Sequence, residues 1–276
     1  RAMTFRSILI DIDDTLLDFG KAEKAAIAKA YRDYGIDPES KYITDMVEYE
    51  MEQVYASYDR DYDAYLEDLH TAIDRINTVA DAEGDHPGEM AHFAGVHIEG
   101  RYLNPAKRGA HAPELLAIPD ADEGEALLRA IKGTRHMSVA LELDNGGAFL
   151  ARALSVGATV GLGHTAATYA QAMDAISRGA RSMTHLYNAM PPLHHRDGGA
   201  VCAGLLSKDV FCELICDGFH IAPEMVKLAY NAKGDHLVLI TDSMEATGCP
   251  VGEYRIAGNP VTVKDGKAGT HDGAIA

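Results

Sequence analysis

The sequence predicts an α/β protein with a parallel sheet, because short apolar runs alternate with helical patterns through the second two-thirds of the chain. Residues 158–163 read as a strand, and residues 169–177 read as a helix that places Tyr169, Met173 and Ile176 on one face. A barrel and a doubly wound sheet both fit this alternation. The other predicted elements are strands at residues 182–186, 211–216 and 236–241, a helix at residues 222–232, and a loop between the strands at 182–186 and 211–216.

Polar side chains stand at the ends of these apolar runs, and they favour a TIM-barrel-like core, which gathers side chains from its strand ends around one substrate. Glu99, His164 and His185 each follow such a run. Imidazole and carboxylate groups are the ligands of zinc and related divalent ions, so these residues predict a shared metal site. Asp242, after the last strand, would be the general base of a metal-assisted hydrolase. The alternative is that Asp242 caps the segment that follows it.

Composition and charge exclude several functional classes. The chain of 276 residues carries 25 basic and 42 acidic residues, which gives a formal net charge of −17 at pH 7. A protein that binds nucleic acid or a membrane surface needs a basic face, so neither partner is expected. No run reaches the roughly 20 apolar residues of a membrane span, and the first residues lack the apolar core of a signal peptide. We therefore expect a cytoplasmic protein.

Both ends of the chain differ in sequence pattern from the alternating strands and helices between them. Residues 253–266 alternate between apolar and polar types and are interrupted at residues 258–260 and 265–266, which predicts a small C-terminal β-hairpin layer. At the other end, an apolar strand that begins at Ser7 is followed by residues of helical character. The predicted division is an N-terminal segment at residues 1–75, a barrel region at residues 76–248 and the start of a small β domain at residues 249–276.

Five motifs, in the same order along the chain, resemble those of the N-acetylglucosamine-6-phosphate deacetylase family of the amidohydrolase superfamily. Together they extend over most of the chain from Gly95 onward, and several independent motifs in order make the resemblance specific. They are Gly95-Val-His-Ile-Glu-Gly with the loop that continues to His111, Gly161-Leu-Gly-His-Thr, Thr184-His-Leu-Tyr-Asn-Ala-Met, Cys216-Asp-Gly-Phe-His220 and Ile240-Thr-Asp242.

The resemblance implies hydrolysis of the acetamide of an amino-sugar phosphate, a small-molecule substrate, by a homodimer that holds one divalent metal. Zinc is the expected ion, with iron, cobalt or manganese as alternatives. By the same resemblance Glu99, His164 and His185 would be the metal ligands and Asp242 the acid and base. The residues that would hold the sugar phosphate are Ala110, His111, Asn188, Ala189, Arg196 and His220; Arg196 can bind phosphate in bidentate fashion, although it also fits a plain exposed loop.

The sequence departs from the family pattern in two places. Arg101 stands where the family usually has proline after Glu-Gly, and this difference could change the direction of the loop. The family's opening segment, which ends a first barrel strand in a His-x-His-like pair, is not found in residues 1–90. Members with a single metal do not depend on that pair, so the expected metal site does not require it.

A second resemblance lies near the start of the chain. Residues 11–16, Asp-Ile-Asp-Asp-Thr-Leu, resemble the first motif of the haloacid dehalogenase superfamily, and the helical pattern at residues 21–34 resembles the start of that family's cap. By this resemblance Asp11 would attack a phosphate and Asp13 would be the general acid and base, with Mg²⁺ between them. The later motifs of that family are not found before the deacetylase motifs begin. The segment can equally supply only a strand and helices.

Three functions therefore stay open at the level of sequence. The first is metal-dependent deacetylation. The second is a magnesium-dependent phosphatase that uses Asp11 and Asp13. The third is a truncated or chimeric chain that keeps the fold without activity. A natural fusion and an artificial chimera are both compatible with two resemblances in one chain.

Overall fold

The structure is a computed structural model that describes residues 7–12, 62–85, 92–243, 250–256, 259–264 and 267–270. The chain divides into two compact units. The first, called the flanking unit, comprises residues 1–94, 110–115 and 243–276. The second, called the sheet unit, comprises residues 95–109 and 116–242. The sheet unit contains all three predicted metal ligands and Asp242. The predicted boundaries at residues 75 and 248 stay predictions.

The N-terminal part of the flanking unit contains one strand and one long helix in its described residues. Strand β1 (Ser7–Ile12) is formed by the first apolar run, and helix α1 (Tyr62–Asp85) follows. Leu69, Ile73 and Ile76 are buried at helical spacing on α1. Asp13, the predicted helix at residues 21–34 and the rest of residues 13–61 lie outside the described residues.

Six consecutive strands form a parallel sheet, and each strand pairs with the next one along the chain. This confirms the predicted parallel α/β core, because parallel neighbours need a crossover between them and helices or helical turns supply it. The short apolar runs are buried, as Val160 and Leu162 illustrate with no exposed surface. The strands are β2 (His92–Glu99), β3 (Thr134–Val139), β4 (Thr159–Leu162), β5 (Ser182–Met183), β6 (Phe211–Ile215) and β7 (Leu237–Ile240).

Helices between the strands cover the sheet and enclose the core. Helix α2 packs against α3, and α4 packs against α5. Leu127 and Leu128 of α2 and Phe149 and Leu150 of α3 are buried where the helices meet. The helices of this unit are α2 (Ala121–Ala130), α3 (Ala148–Ser155), α4 (Tyr169–Arg178), α5 (Gly199–Leu206) and α6 (Pro223–Lys233).

Two elements differ from the sequence prediction. The loop predicted before the strand at residues 211–216 contains helix α5. Its residues, Gly-Ala-Val-Cys-Ala-Gly-Leu-Leu, are small or apolar on every side, so they lack the one-sided pattern of a surface helix. The strand predicted at residues 182–186 is shorter, because β5 ends at Met183 and the backbone at His185 turns to a positive φ of 30°.

The C-terminal part of the flanking unit contains a three-stranded antiparallel sheet in the order β10-β9-β8. Val261 is buried, and Tyr254, Val263 and Ala268 pack against it. The strands are β8 (Gly252–Ile256), β9 (Asn259–Lys264) and β10 (Lys267–Thr270), and the residues between them are outside the described set.

None of the helices in the described part of the chain combines the length and the apolar character that crossing a membrane requires.

Candidate metal centre

Glu99, His164 and His185 bring one oxygen and two nitrogen atoms together inside the sheet unit. Glu99 Oε1 lies 2.9 Å from His164 Nε2 and 2.8 Å from His185 Nε2, and the two Nε2 atoms are 3.0 Å apart. All three side chains are buried. The spacing suits a shared divalent ion, whose nitrogen and oxygen ligands lie about 2.0–2.2 Å from the metal. A set of two histidines and one glutamate is also a known donor set of catalytic zinc.

The backbone at the strand ends is unusual at three of the predicted functional residues. His164 and His185, which follow β4 and β5, have φ values of 45° and 30°, and Asp242 after β7 has a φ of 52°. Residues other than glycine rarely adopt this left-handed region, and each instance costs on the order of 1–3 kcal/mol. Such strain persists where the surrounding structure enforces it, and it clusters at functional sites.

The two histidine rings are supported differently. His164 Nδ1 lies 2.7 Å from the carbonyl oxygen of Lys107, which can only accept, so Nδ1 carries the proton and Nε2 presents a lone pair. This is the usual way in which a metal-ligating histidine is oriented. His185 Nδ1 is buried and has no hydrogen-bond partner among the described residues.

The charges at the cluster shift one another's pKa values. Burial raises the pKa of Glu99, but the nearby His185 and His164 hold it well below the usual value for a glutamate. Burial lowers the pKa of His185, but the Glu99 carboxylate outweighs it and raises the pKa to about 10, with Asp242 and Glu213 adding to the effect. Because metal ligands bind in their deprotonated forms, a divalent ion at this cluster would compete with a proton for the same atoms.

Asp242 follows β7 at the same end of the sheet as the cluster. Its side chain is half-buried, and its negative charge is among those that raise the pKa of His185. A carboxylate near the cluster, without being one of the three converging ligands, could exchange a proton with a reacting group there. The segment that Asp242 would cap in the alternative interpretation begins with Ser243 and continues into residues 244–249, which lie outside the described residues.

The residues expected to bind the sugar phosphate are spread over several loops. Asn188 and Ala189 belong to the turn after His185, where Asn188 Nδ2 donates to the His185 carbonyl over 3.3 Å. His220 Nδ1 lies 2.7 Å from Asp217 Oδ2 in the loop after β6. Arg196 is exposed, and its Nη1 lies 2.7 Å from His195 Nε2. Ala110 and His111 belong to residues 110–115 of the flanking unit.

A buried polar layer lies on strands of the same sheet as the cluster, and the sequence analysis did not predict it. His97 stands two residues before Glu99 on β2, and His136 and Glu213 belong to β3 and β6; ligand atoms of the three lie within 4.8 Å of one another. Burial lowers the pKa of His97 to about 4 and that of His136 to about 3. Burial and the charge of Glu99 raise the pKa of Glu213 to about 7. The alternation of His97 and Glu99 on one strand face was the available signal.

Arg101, the departure from the family's proline, is fully enclosed. Only 1% of its surface is exposed, its Nε lies 3.2 Å from Glu123 Oε1, and its φ is 41°. Proline cannot adopt that backbone angle, because its ring holds φ near −65°. The arginine thus makes a buried ion pair in a conformation that the usual residue cannot take.

The fold and the cluster together define a class of protein: a β/α protein that gathers histidine and carboxylate side chains, which could hold a metal ion, at the carboxyl ends of parallel strands.

Comparison with known proteins gives a narrower result. An N-acetylglucosamine-6-phosphate deacetylase of Vibrio furnissii is 37% identical over 198 residues, which are 71% of this chain and 49% of the relative. That of Bacillus subtilis is 37% identical over 188 residues, 67% of this chain and 48% of the relative. An N-acetylgalactosamine-6-phosphate deacetylase of Escherichia coli O157:H7 is 37% identical over 215 residues, 77% of this chain and 56% of the relative. No protein family model matches the chain.

Solved structures that resemble this chain carry the same kind of name as the relatives found by sequence. An N-acetyl-D-glucosamine-6-phosphate deacetylase of Mycobacterium smegmatis, an aspartate-to-alanine mutant in complex with N-acetyl-D-glucosamine-6-phosphate, matches with a TM-score of 0.69 and 34% identity. The match covers 76% of this chain and 54% of that one. The enzyme of Thermotoga maritima matches with a TM-score of 0.67 and 34% identity, over 76% of this chain and 56% of that one.

The resemblance predicted from the motifs is thus confirmed: this chain is similar, over most of its length, to N-acetylglucosamine-6-phosphate deacetylases in both sequence and structure. The chain spans about half the length of the curated relatives it matches. The resemblance of residues 11–16 to the haloacid dehalogenase superfamily stays a prediction.

Proposed function

We propose that this chain carries a metal-dependent deacetylase site, which hydrolyses the acetamide of N-acetylglucosamine 6-phosphate to glucosamine 6-phosphate and acetate. The observation that carries the proposal is the convergence of Glu99, His164 and His185 within 3.0 Å of one another. The relatives' names and the complex of the mycobacterial mutant support the choice of substrate.

The donor set fits a divalent metal, because the lone pair of His164 Nε2 and the carboxylate of Glu99 point at one place. Zinc is the expected ion, and iron, cobalt or manganese could take the same ligands. When bound, the ion supplies Lewis acidity, which polarises an acyl carbonyl and lowers the pKa of water. Glu99, His164 and His185 hold it, and their burial excludes bulk water from that side of the site.

Asp242 supplies the proton transfers of the reaction. Amide hydrolysis consumes one water, breaks the bond between the acyl carbon and the nitrogen, and needs a proton on the leaving amine. Asp242 accepts the proton of the attacking water and delivers it to that amine, so it acts first as a base and then as an acid. Its half-buried position beside the ligands is compatible with both roles.

Binding of the sugar phosphate is assigned to loops around the strand ends. Asn188 and the left-handed Ala189 would contact the sugar, and His220, held by Asp217, would donate to a sugar hydroxyl or the acyl oxygen. Arg196 would bind the phosphate in bidentate fashion. Ala110 and His111 complete the set by family resemblance. A homodimer and a cytoplasmic location are part of the same proposal.

The galactosamine epimer is a second candidate substrate, since the Escherichia coli relative is named for N-acetylgalactosamine 6-phosphate. The two sugars carry the same acetamide and phosphate, and they differ only at one ring hydroxyl. Both substrates belong in the first assay.

The test is acetate release from both amino-sugar phosphates, with zinc and after chelation, together with phosphate release in the same tubes. Zinc-dependent acetate release is expected, and Asp242→Asn should lower kcat by about 100-fold or more because the proton transfers lose their carboxylate. Asp235→Asn, an exposed carboxylate elsewhere in the sheet unit, is the matched control.

Two outcomes contradict the proposal. Phosphate release that needs Mg²⁺ and Asp11 would favour the phosphatase alternative. Zinc binding without acetate release from either sugar would identify a chain that keeps the fold and the ligands without the activity.

A further inference from the structure

The loop that carries His164 depends on a neighbouring segment for its geometry. Strand β4 ends at Leu162, and His164 follows it with a left-handed φ of 45°. Its ring is oriented by the carbonyl oxygen of Lys107, which accepts the Nδ1 proton over 2.7 Å. The direction of the His164 Nε2 atom therefore depends on how residues 104–107 are held against residues 164–166.

Main-chain hydrogen bonds connect these two segments at Asn104. The N–H of Asn104 donates to the carbonyl of His164 over 2.9 Å, and the N–H of Lys107 donates to the carbonyl of Asn104 over 2.7 Å. The Asn104 side chain also accepts the N–H of Ala106 over 2.9 Å. Asn104 thus sets the turn that brings the Lys107 carbonyl to the His164 ring.

The carboxyl group of Glu142 accepts hydrogen bonds from both segments. Its Oε1 atom accepts the N–H of Ala166 over 2.6 Å and the Nδ2 group of Asn104 over 3.0 Å. Its Oε2 atom accepts the hydroxyl of Thr165, a buried residue, over 2.6 Å. Glu142 itself is half-buried in a short helical turn (Leu141–Leu143) after β3. One side chain therefore fixes the residues directly after the ligand to the segment that orients the ligand's ring.

We propose that Glu142 is a positioning residue for the metal centre: its carboxyl group holds the two segments together so that His164 Nε2 points toward the other two ligands. The inference rests on the proposed metal site and assigns a role to a side chain outside its ligands. Glu142 contacts neither the metal nor the substrate in this role. It acts through the Lys107 carbonyl and the main chain after His164.

The hydrogen-bonding capacity of a carboxyl group suits this position. Three donors of different kinds converge on Glu142: a main-chain N–H, an amide NH2 group and a hydroxyl. An apolar side chain of the same length would leave all three without this acceptor, and an unmade hydrogen bond in a buried place is costly. Glutamine could keep the three contacts, because its carbonyl oxygen accepts the two N–H donors and its NH2 group donates to the Thr165 oxygen.

A cation site built from neighbouring acidic side chains is the competing interpretation. Glu142, Asp144 and Asp174 line one surface cavity of the sheet unit. The other two carboxyl groups already have partners. Asp144 accepts two main-chain N–H groups at the start of α3 over 3.1 and 3.0 Å, and Asp174 pairs with Arg178 at 2.9 Å. The three carboxyl groups are thus engaged as they stand, which favours the positioning role.

The experiment measures zinc stoichiometry by elemental analysis and zinc affinity by competition with a chelator, for the parent chain, Glu142→Gln and Glu142→Met. We expect one equivalent throughout, an affinity for Glu142→Gln within about threefold of the parent, and a loss of about 30-fold for Glu142→Met. The visible absorption of bound Co²⁺, which reports ligand geometry, should change in Glu142→Met and stay the same in Glu142→Gln. Glu224→Met, at an exposed glutamate on α6, is the matched control and should equal the parent.

Urea unfolding without zinc is measured on every variant, so that a loss of folding is not read as a loss of affinity. Thr165→Val removes one of the three donors and decides the question if Glu142→Met does not fold. Its zinc affinity should fall by about threefold to tenfold, and an affinity equal to that of the parent would contradict the proposal.

Unchanged affinity, or an unchanged cobalt spectrum, in folded Glu142→Met overturns the positioning role. Equal losses in Glu142→Gln and Glu142→Met also overturn it, because they would trace the effect to charge. Two equivalents of zinc in the parent and one in Glu142→Met would establish the cation site instead. A parent that binds no zinc overturns the proposed metal site and this role with it, whereas the other outcomes leave the proposed function intact.

Discussion

Six residues other than glycine have a left-handed backbone in the described part of the chain, and three of them are His164, His185 and Asp242. A fourth, Arg101, lies two residues after Glu99 and makes a buried ion pair. Residue types alone pointed to the histidines and carboxylates, because those groups bind metals and move protons. The strained backbone that aims them could not be read from residue types, since it depends on contacts made by the following loops.

Gly95 provides a prediction at this scale. Its φ is 152°, and a Cβ atom there would lie 2.0 Å from the main-chain oxygen of Thr134 on the neighbouring strand. Gly95→Ala should lower the free energy of unfolding by about 3 kcal/mol or more, because strain and a main-chain clash act together.

Gly146→Ala separates these two causes. Gly146 has a φ of 77°, and no atom lies within 4 Å of the position that a Cβ atom would take there, so the same change should cost only about 1–2 kcal/mol. Urea unfolding of both variants checks the difference. Equal losses of stability in the two variants would mean that the close approach of β2 and β3 at Gly95 adds nothing to the cost of the backbone conformation.

At the scale of elements, the periodicity of apolar residues located most helices and strands that have one buried face. The strand predicted at residues 158–163 is β4 (Thr159–Leu162), and the helix predicted at residues 169–177 is α4 (Tyr169–Arg178). Helix α5 escaped detection because it is apolar on all sides, and β5 ended early because the site bends the chain at His185. Periodicity reports a helix or strand with one buried face, and both exceptions lack that property.

Helix α4 begins with a capping box that gives a prediction for this scale. Thr168 Oγ1 accepts the N–H of Gln171, and the Gln171 side chain accepts the N–H of Thr168 over 3.0 Å. Thr168→Ala should lower the free energy of unfolding by about 1 kcal/mol, because it removes the capping arrangement that satisfies two N–H groups at the start of the helix.

Ser177→Ala in the same helix is the control. The Ser177 hydroxyl is exposed and donates to the Asp174 carbonyl within the helix, so its removal should change stability by less than about 0.5 kcal/mol. Thermal unfolding of the two variants side by side distinguishes them. A Thr168→Ala variant as stable as Ser177→Ala would show that the cap does not limit the stability of α4.

For the whole molecule, metal binding and folding should be linked. The proposed ligands come from β2 and from the turns after β4 and β5, and they are separated by up to 86 residues along the chain. An unfolded chain cannot bring them together, so an ion that binds only the folded state adds to its stability.

Zinc at 100 times its Kd should therefore raise the free energy of unfolding by about 2.7 kcal/mol, and chelation should remove the gain. Thermal unfolding with zinc and with chelator measures the shift. Glu99→Gln should show a much smaller zinc effect, because the cluster loses its charged ligand. An equal zinc effect in the parent and in Glu99→Gln would mean that the ion acts elsewhere.

The sequence by itself determined the parallel α/β class, most strand and helix positions, and the candidate residues Glu99, His164, His185 and Asp242. Those features follow from local periodicity and from residue chemistry, which are properties of short stretches of chain. Only the tertiary structure decided that atoms of the three predicted ligands lie within 3.0 Å of one another and that Arg101 is buried. These depend on which residues of distant strands face each other, and pairing across a curled sheet is not encoded in any one segment.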